Sequence, residues 1–93
     1  MPKRSKDVSE EYTTYEQKLA GDIGARIRLR RRQVGLSQQE VRANMALEQV
    51  YISRSHYSRT ETGQNLPRAS EIIALTRALD VSCEWLLLGD KAD

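Results

Sequence analysis

Apolar residues recur at three- and four-residue steps through Tyr12, Tyr15, Leu19, Ile23 and Ile27, the spacing of one helical face. Thr13 and Thr14 stand ahead of Glu16 and Gln17 at capping-box distance, so a first helix is predicted from near Thr14 to about Gln33, with Gly35 to close it. Gly21 and Gly24 fall inside it at a cost of ~1 kcal/mol each relative to alanine, which leaves a break near Gly21 open. A second helix follows Ser37: its hydroxyl can cap, Glu40 can reach back to the cap's N–H, Leu36 can staple onto Val41, and Val41 and Met45 form the apolar side. A third is capped by Ser53, with Ile52 able to staple onto Tyr57 and His56 standing where the box would want Glu or Gln. It is predicted to end near Thr62 at Gly63, with Pro67 in the loop beyond.

From Ser70 the positions Ile72, Ile73, Leu75, Thr76 and Leu79 spell an amphipathic helix, with Asp80 where a left-handed residue is wanted. Ser82 caps a short last helix, Cys83 to Leu88, ended by Gly89. The pattern is all-α: residues 1–13 are an unpacked, flexible arm, residues 14–89 one helical domain, and residues 90–93 a tail too short for a ligand-sensing domain.

Composition narrows the class. The chain has 93 residues, 39% apolar and 30% charged, with no Phe, which fits one soluble helical domain. No apolar run approaches the ~20 residues of a membrane span, and the N-terminus lacks the apolar stretch of a signal peptide, so a cytoplasmic protein without a membrane partner is expected. The single cysteine, Cys83, permits no internal disulfide and is read as a small buried filler. The net charge of +2 is unevenly spread: residues 23–68 hold nine Arg against three Glu, between an N-terminal stretch at −1 and a C-terminal one at −3. A basic centre with acidic ends suits phosphate attraction, and an ordinary solvated face is the plain alternative.

The third predicted helix has little to bury and so turns a polar face outward. Arg54, Ser55, His56, Ser58 and Arg59 on that face suit a DNA groove. Gln38 stands at the first position of the second helix, where free backbone N–H groups attract a phosphate. The run Arg26, Arg28, Arg30, Arg31, Arg32 winds round more than one face of the first helix, and these arginines serve either its C-terminal dipole or phosphate. Leu29 lies off the Ile23/Ile27 stripe, against the N-terminal segment or a second chain. The arm's Lys3, Arg4 and Lys6 either lie along DNA or belong to a disordered terminus.

Four stretches in this order resemble the lambda-repressor-like, or xenobiotic-response-element type, family of transcription regulators: IGARIR at 23–28, GLSQQEV at 35–41, SRSHYSRTETG at 53–63 with Pro67 after it, and LDVSCEWLLLG at 79–89. The resemblance implies a compact bundle of about five helices whose third lies in the major groove. It assigns Arg54, Ser55 and Arg59 to base edges, and Tyr57 and Thr60 to the inward side. Gln38, Thr62 and the amides after Gly63 fall to phosphate; beside them His56, Ser58 and Gln64 are expected to contact phosphate too, His56 from the groove edge. Arg can donate two bonds to guanine O6/N7, and Ser can serve either base edge. The chain departs from the family in three places. Ser37 to Ser53 spans sixteen residues against about eleven, which lengthens the turn by five; Arg30 stands at a usual core leucine; and Thr60 is small for its site.

His56 has no carboxylate or cysteine at ligand or triad spacing, so neither catalysis, a metal, a cofactor nor a small-molecule ligand is expected. Trp85 either packs into the core alone or, with Leu88, makes an apolar patch for a two-fold dimer. The expected function is a DNA-binding regulator, a repressor that occupies a palindromic operator as a homodimer. The alternative is a protein-interaction module, an antitoxin or adaptor, using Val50 and Tyr51 of the lengthened turn.

Overall fold

A computed structural model of the chain describes the backbone of residues 2–92 and the side chains of residues 14–90. Five α-helices follow one another, α1 (Pro2–Gln33), α2 (Gln38–Leu47), α3 (Arg54–Glu61), α4 (Ala69–Leu79) and α5 (Cys83–Leu88), and a 3₁₀ turn covers Gly89–Ala92. No strand is present among the described residues.

The serines start the helices as their spacing demands. Ser37 Oγ accepts from the Glu40 N–H at 3.0 Å and the Ser37 N–H donates to Glu40 Oε1 at 2.8 Å, a complete capping box for α2. At α3 the Ser53 hydroxyl accepts from the His56 N–H, and at α5 the Ser82 hydroxyl accepts from the Trp85 N–H. Neither has a returning carboxylate, as the residue three places on (His56 and Trp85) requires.

α1 ends where predicted, differs from its prediction at its start, and decides the question left open at Gly21. It begins at Pro2 rather than near Thr14, and it runs unbroken through Gly21 and Gly24. Proline lacks an N–H that the first turn would leave unused, and no glycine or second proline stands between Lys3 and Thr13 to stop a helix. The arm's proposed DNA contacts rest on side chains of residues 1–13, which lie outside those described, as does the tail residue Asp93.

The core is built from the predicted stripes. Ile23 and Ile27 of α1, Val41 and Met45 of α2, Tyr57 of α3, Ala74, Leu75 and Leu79 of α4 and Leu86 of α5 are buried together, each large side chain contributing about 1.5–3 kcal/mol. Leu19 joins from its edge, whereas Tyr15 and Leu29 stay exposed. Cys83 is exposed, not a buried filler: it stands at the first position of α5, at the open end of the helix. Arg30, at the expected core-leucine position, is half-buried, and its Nε donates to the Leu79 carbonyl at the end of α4 (2.9 Å). Arg26 Nη1 likewise donates to the Leu86 carbonyl in α5 (2.9 Å). Both arginines supply donors to helix ends that otherwise lack them.

The lengthened turn is an ordered connector. The Val50 N–H donates to the Met45 carbonyl at 3.1 Å and the Gln49 N–H to Ala46 at 2.9 Å, which closes α2 around Gln49 in the left-handed region at φ 66°. Gly35 and Gly63 close α1 and α3 in the same way, and Asp80 adopts the left-handed conformation after α4 as predicted. Arg42 Nε donates to the Ile52 carbonyl at 3.2 Å, Arg77 Nη1 donates to Glu48 Oε1 at 2.7 Å, and Val50 and Ile52 pack onto the core. A left-handed L-residue costs roughly 1–2 kcal/mol, partly offset because glycine loses more freedom on folding. Gln49→Gly is therefore expected to raise stability by about 0.5–1 kcal/mol, read as a higher urea midpoint at unchanged slope. A lower midpoint would mean that the Gln49 side chain itself supports the turn.

Candidate nucleic-acid interface

α3 is divided lengthwise. Tyr57, Thr60 and Glu61 are buried, while Arg54, Ser55 and Arg59 are exposed, with Ser58 half-buried between them and Thr62 exposed just beyond. A helix with one buried turn-to-turn row and a charged, hydroxyl-bearing opposite row needs a rigid support and presents a polar ridge.

The support is a carboxylate. Glu61, whose side chain is 2% exposed, accepts at Oε2 from Arg31 Nε (2.6 Å) and from the Tyr57 hydroxyl (2.6 Å), and at Oε1 from Arg31 Nη2 (3.1 Å) and Gln38 Nε2 (3.1 Å). Arg31 Nη1 also donates to the Leu36 carbonyl (3.0 Å). One buried ion pair thus ties α1, the start of α2 and the end of α3. Burial pushes the Glu61 carboxyl up, but the hydrogen bonds from Arg31 and Tyr57 and the guanidinium charge outweigh it and hold the group below its ordinary range. The hydrogen bond to Glu61 raises Arg31 against the opposing effect of burial, and burial, then the bond to Glu61, drives the Tyr57 phenol well above its ordinary value. Arg31 is therefore charged, Glu61 ionised and Tyr57 a fixed donor at neutral pH.

The structure places the expected site residues unequally. Arg54, Ser55 and Arg59 stand free on the ridge. Gln38 is half-buried and gives one amide donor to Glu61, which fixes its orientation at the start of α2. The Thr62 hydroxyl donates toward the Ser58 and Arg59 carbonyls (3.2 Å each) and accepts from Gln64 Nε2 (2.9 Å), so Thr62 and Gln64 sit together at the far end of the ridge. His56 is drawn away from it: its Nε2 lies 3.1 Å from Oε1 of the buried Glu71, a tie between α3 and α4. Trp85 is half-buried and lines a groove with Leu29 and Val81 between α1 and the start of α5; Leu88 is exposed but does not line it.

The arginine run separates by position. Arg26, Arg30 and Arg31 are taken up by bonds inside the fold, whereas Arg28 and Arg32, one turn apart and exposed, flank a groove that ends at Thr62. A second groove at the other end of α3 is lined by Ser37, Gln38, Gln39, Arg42 and Arg54. Sequence reasoning did not single out Glu61 or Arg42. Glu61 lies four residues from Tyr57 on the inward row, and an inward carboxylate requires a buried cation, a signal present in the spacing.

Among the described residues no three His, Cys, Asp or Glu side chains cluster to hold a metal ion, and no helix is long and apolar enough to cross a membrane. The family described as "Helix-turn-helix domain" matches residues 22–84, from within α1 through α2, the connector, α3 and α4 to the start of α5. No curated protein and no solved structure matches the chain.

Proposed function

Because the chain belongs to the helix-turn-helix domain family, we propose that it is a sequence-specific DNA-binding transcription regulator that lays α3 in the major groove. The division of α3 carries this reading: a row of Arg54, Ser55 and Arg59 faces out, and behind it a buried Arg31–Glu61 pair fixes the pose. Arg54 and Arg59 suit guanine O6/N7, and Ser55 suits either base edge. Gln38, Ser58, Thr62 and Gln64 take backbone phosphates along both flanks, with His56 at their margin. The protein then acts in the cytoplasm as a homodimer on a palindromic operator, through the face that carries Trp85 and Leu88, and represses by occupying a promoter. It is not an enzyme and uses no cofactor in this role.

The exposure of Tyr51 favours a second reading, an antitoxin or adaptor that binds a protein through the connector, although Val50, its other expected contact, packs on the core. Arg59→Ala separates base reading from simple charge. On the duplex selected by the wild type it is expected to cost ~1–3 kcal/mol and to relax preference at one base pair. An equal loss on every sequence, measured by fluorescence anisotropy, would make Arg59 a phosphate contact instead.

A further inference from the structure

The connector ends beside the DNA-facing ridge, not on the opposite side of the bundle. Tyr51 is 77% exposed and lines a groove with Gln39, Arg42, Ala43, Ala46 and Ile52, a row along α2 at helical spacing. Gln39 and Arg42 also line the groove that contains Arg54. The two grooves therefore form one continuous surface from the start of α2, past the first residue of α3, to the phenol of Tyr51. Arg42 and Arg54 are its charged residues, and no carboxylate lines either groove. Arg42 is set in place by the bond from its Nε to the Ile52 carbonyl, which leaves both Nη groups to donate outward.

We infer that the lengthened turn is itself part of the DNA interface: Arg42, braced by the connector it holds, and the Tyr51 hydroxyl contact one backbone phosphate on the flank of α3. The inference rests on the DNA-binding role proposed above. Its chemistry follows from charge complementarity, since a guanidinium fork and a phenol offer donors to an anionic oxygen and nothing on this surface offers a countercharge. Arg42 occupies a place on α2 that faces α3, and the added residues of the connector give its long side chain the carbonyl it needs.

The test uses the full chain and a mixed-sequence DNA duplex, with affinity read by anisotropy over a salt series. Arg42→Gln should lower affinity roughly tenfold near 0.1 M salt and reduce the slope of log affinity against log salt by about 1, on all sequences alike. Arg42→Lys, which keeps the charge and loses the guanidinium fork, should retain the slope. Tyr51→Phe should lower affinity about 3- to 10-fold with no change in slope, because it removes a donor and no charge. Leu47→Ala, at an exposed position at the end of α2 that lines neither groove, should bind as the wild type. If the wild type binds DNA and Arg42→Gln and Tyr51→Phe bind identically to it, the inference fails alone, and the connector is left as a protein-docking face. If the wild type shows no salt-dependent binding, the DNA-binding role fails and the inference with it.

Discussion

Replacing Glu61 by alanine is expected to lower the stability of the folded chain by ~3–5 kcal/mol, the cost of leaving a buried partner charge unpaired. The Arg31 guanidinium, 13% exposed, would lose two donors' worth of acceptor, and Tyr57 and Gln38 would lose theirs in the same step. For a domain of this length the melting temperature should fall by roughly 15–30 °C. Glu61→Gln keeps the volume and removes the charge. It should cost nearly as much, because its amide would place donors against the donors of Arg31 and Tyr57. Acid provides an independent check. Glu61 is held below its ordinary range in the fold, so its contribution is complete above the unfolded value of about 4.3 and is lost as the pH falls below it. Urea midpoints of wild type and Glu61→Ala should therefore converge between pH 5 and about 2. A loss under ~1 kcal/mol at pH 7, or parallel pH profiles, would show that the pair holds nothing that packing does not.

Two glycines three residues apart on α1 should respond in opposite directions. A Cβ on Gly24 would lie 2.5 Å from the Thr60 carbonyl oxygen and 2.6 Å from that of Glu61, both backbone atoms of α3. α1 and α3 would have to separate, so Gly24→Ala should cost about 1–3 kcal/mol net of the ~1 kcal/mol gained in helix propensity. The displaced helix is the one with the outward arginines, so DNA binding should weaken as well. A Cβ on Gly21 meets nothing within 4 Å, and Gly21→Ala should stabilise by about 1 kcal/mol. Thermal melts of the two variants settle the matter. Equal effects would mean that the close approach of α1 to α3 yields easily, and would remove Gly24 as a determinant of the pose of α3.

The same glycines show where the sequence stopped being informative. Read locally, Gly21 and Gly24 weaken a helix. Of the two, only Gly24 has a use for lacking a side chain, in its contact with the Thr60 and Glu61 carbonyls far along the chain, and helical periodicity holds no record of that. Caps and closures were legible because each depends on residues within one turn: Ser37 with Glu40, Ser53, Ser82, Gly35, Gly63 and Asp80 all act as their types require. Gln49 in the left-handed region was not, since a glutamine carries no local sign of it. The α2–α3 pair, the inward row of α3 and the apolar stripes of α1, α2 and α4 followed from spacing and from the family resemblance. Roles within the arginine run did not, because adjacent residues on a helix point to different neighbours. Arg30 meets the end of α4, Arg31 meets Glu61, and Arg32 meets solvent. His56 was expected at the groove edge, whereas its contact with Glu71 depends on where α4 crosses, a tertiary matter. Cys83 was assigned by the average behaviour of cysteine, which its place at the exposed start of α5 overrides.

The outward row of α3 as a reader of DNA sequence is tested most directly by selection from a random-sequence duplex pool with the wild-type chain, carried out across a salt series. A single enriched site with two-fold symmetry, half-sites about one helical turn apart and affinity falling steeply with salt is the result expected of a dimer that reads bases through Arg54, Ser55 and Arg59. Weak binding without enrichment of any sequence would contradict it, and would leave α3 as a polar surface with no base-reading role.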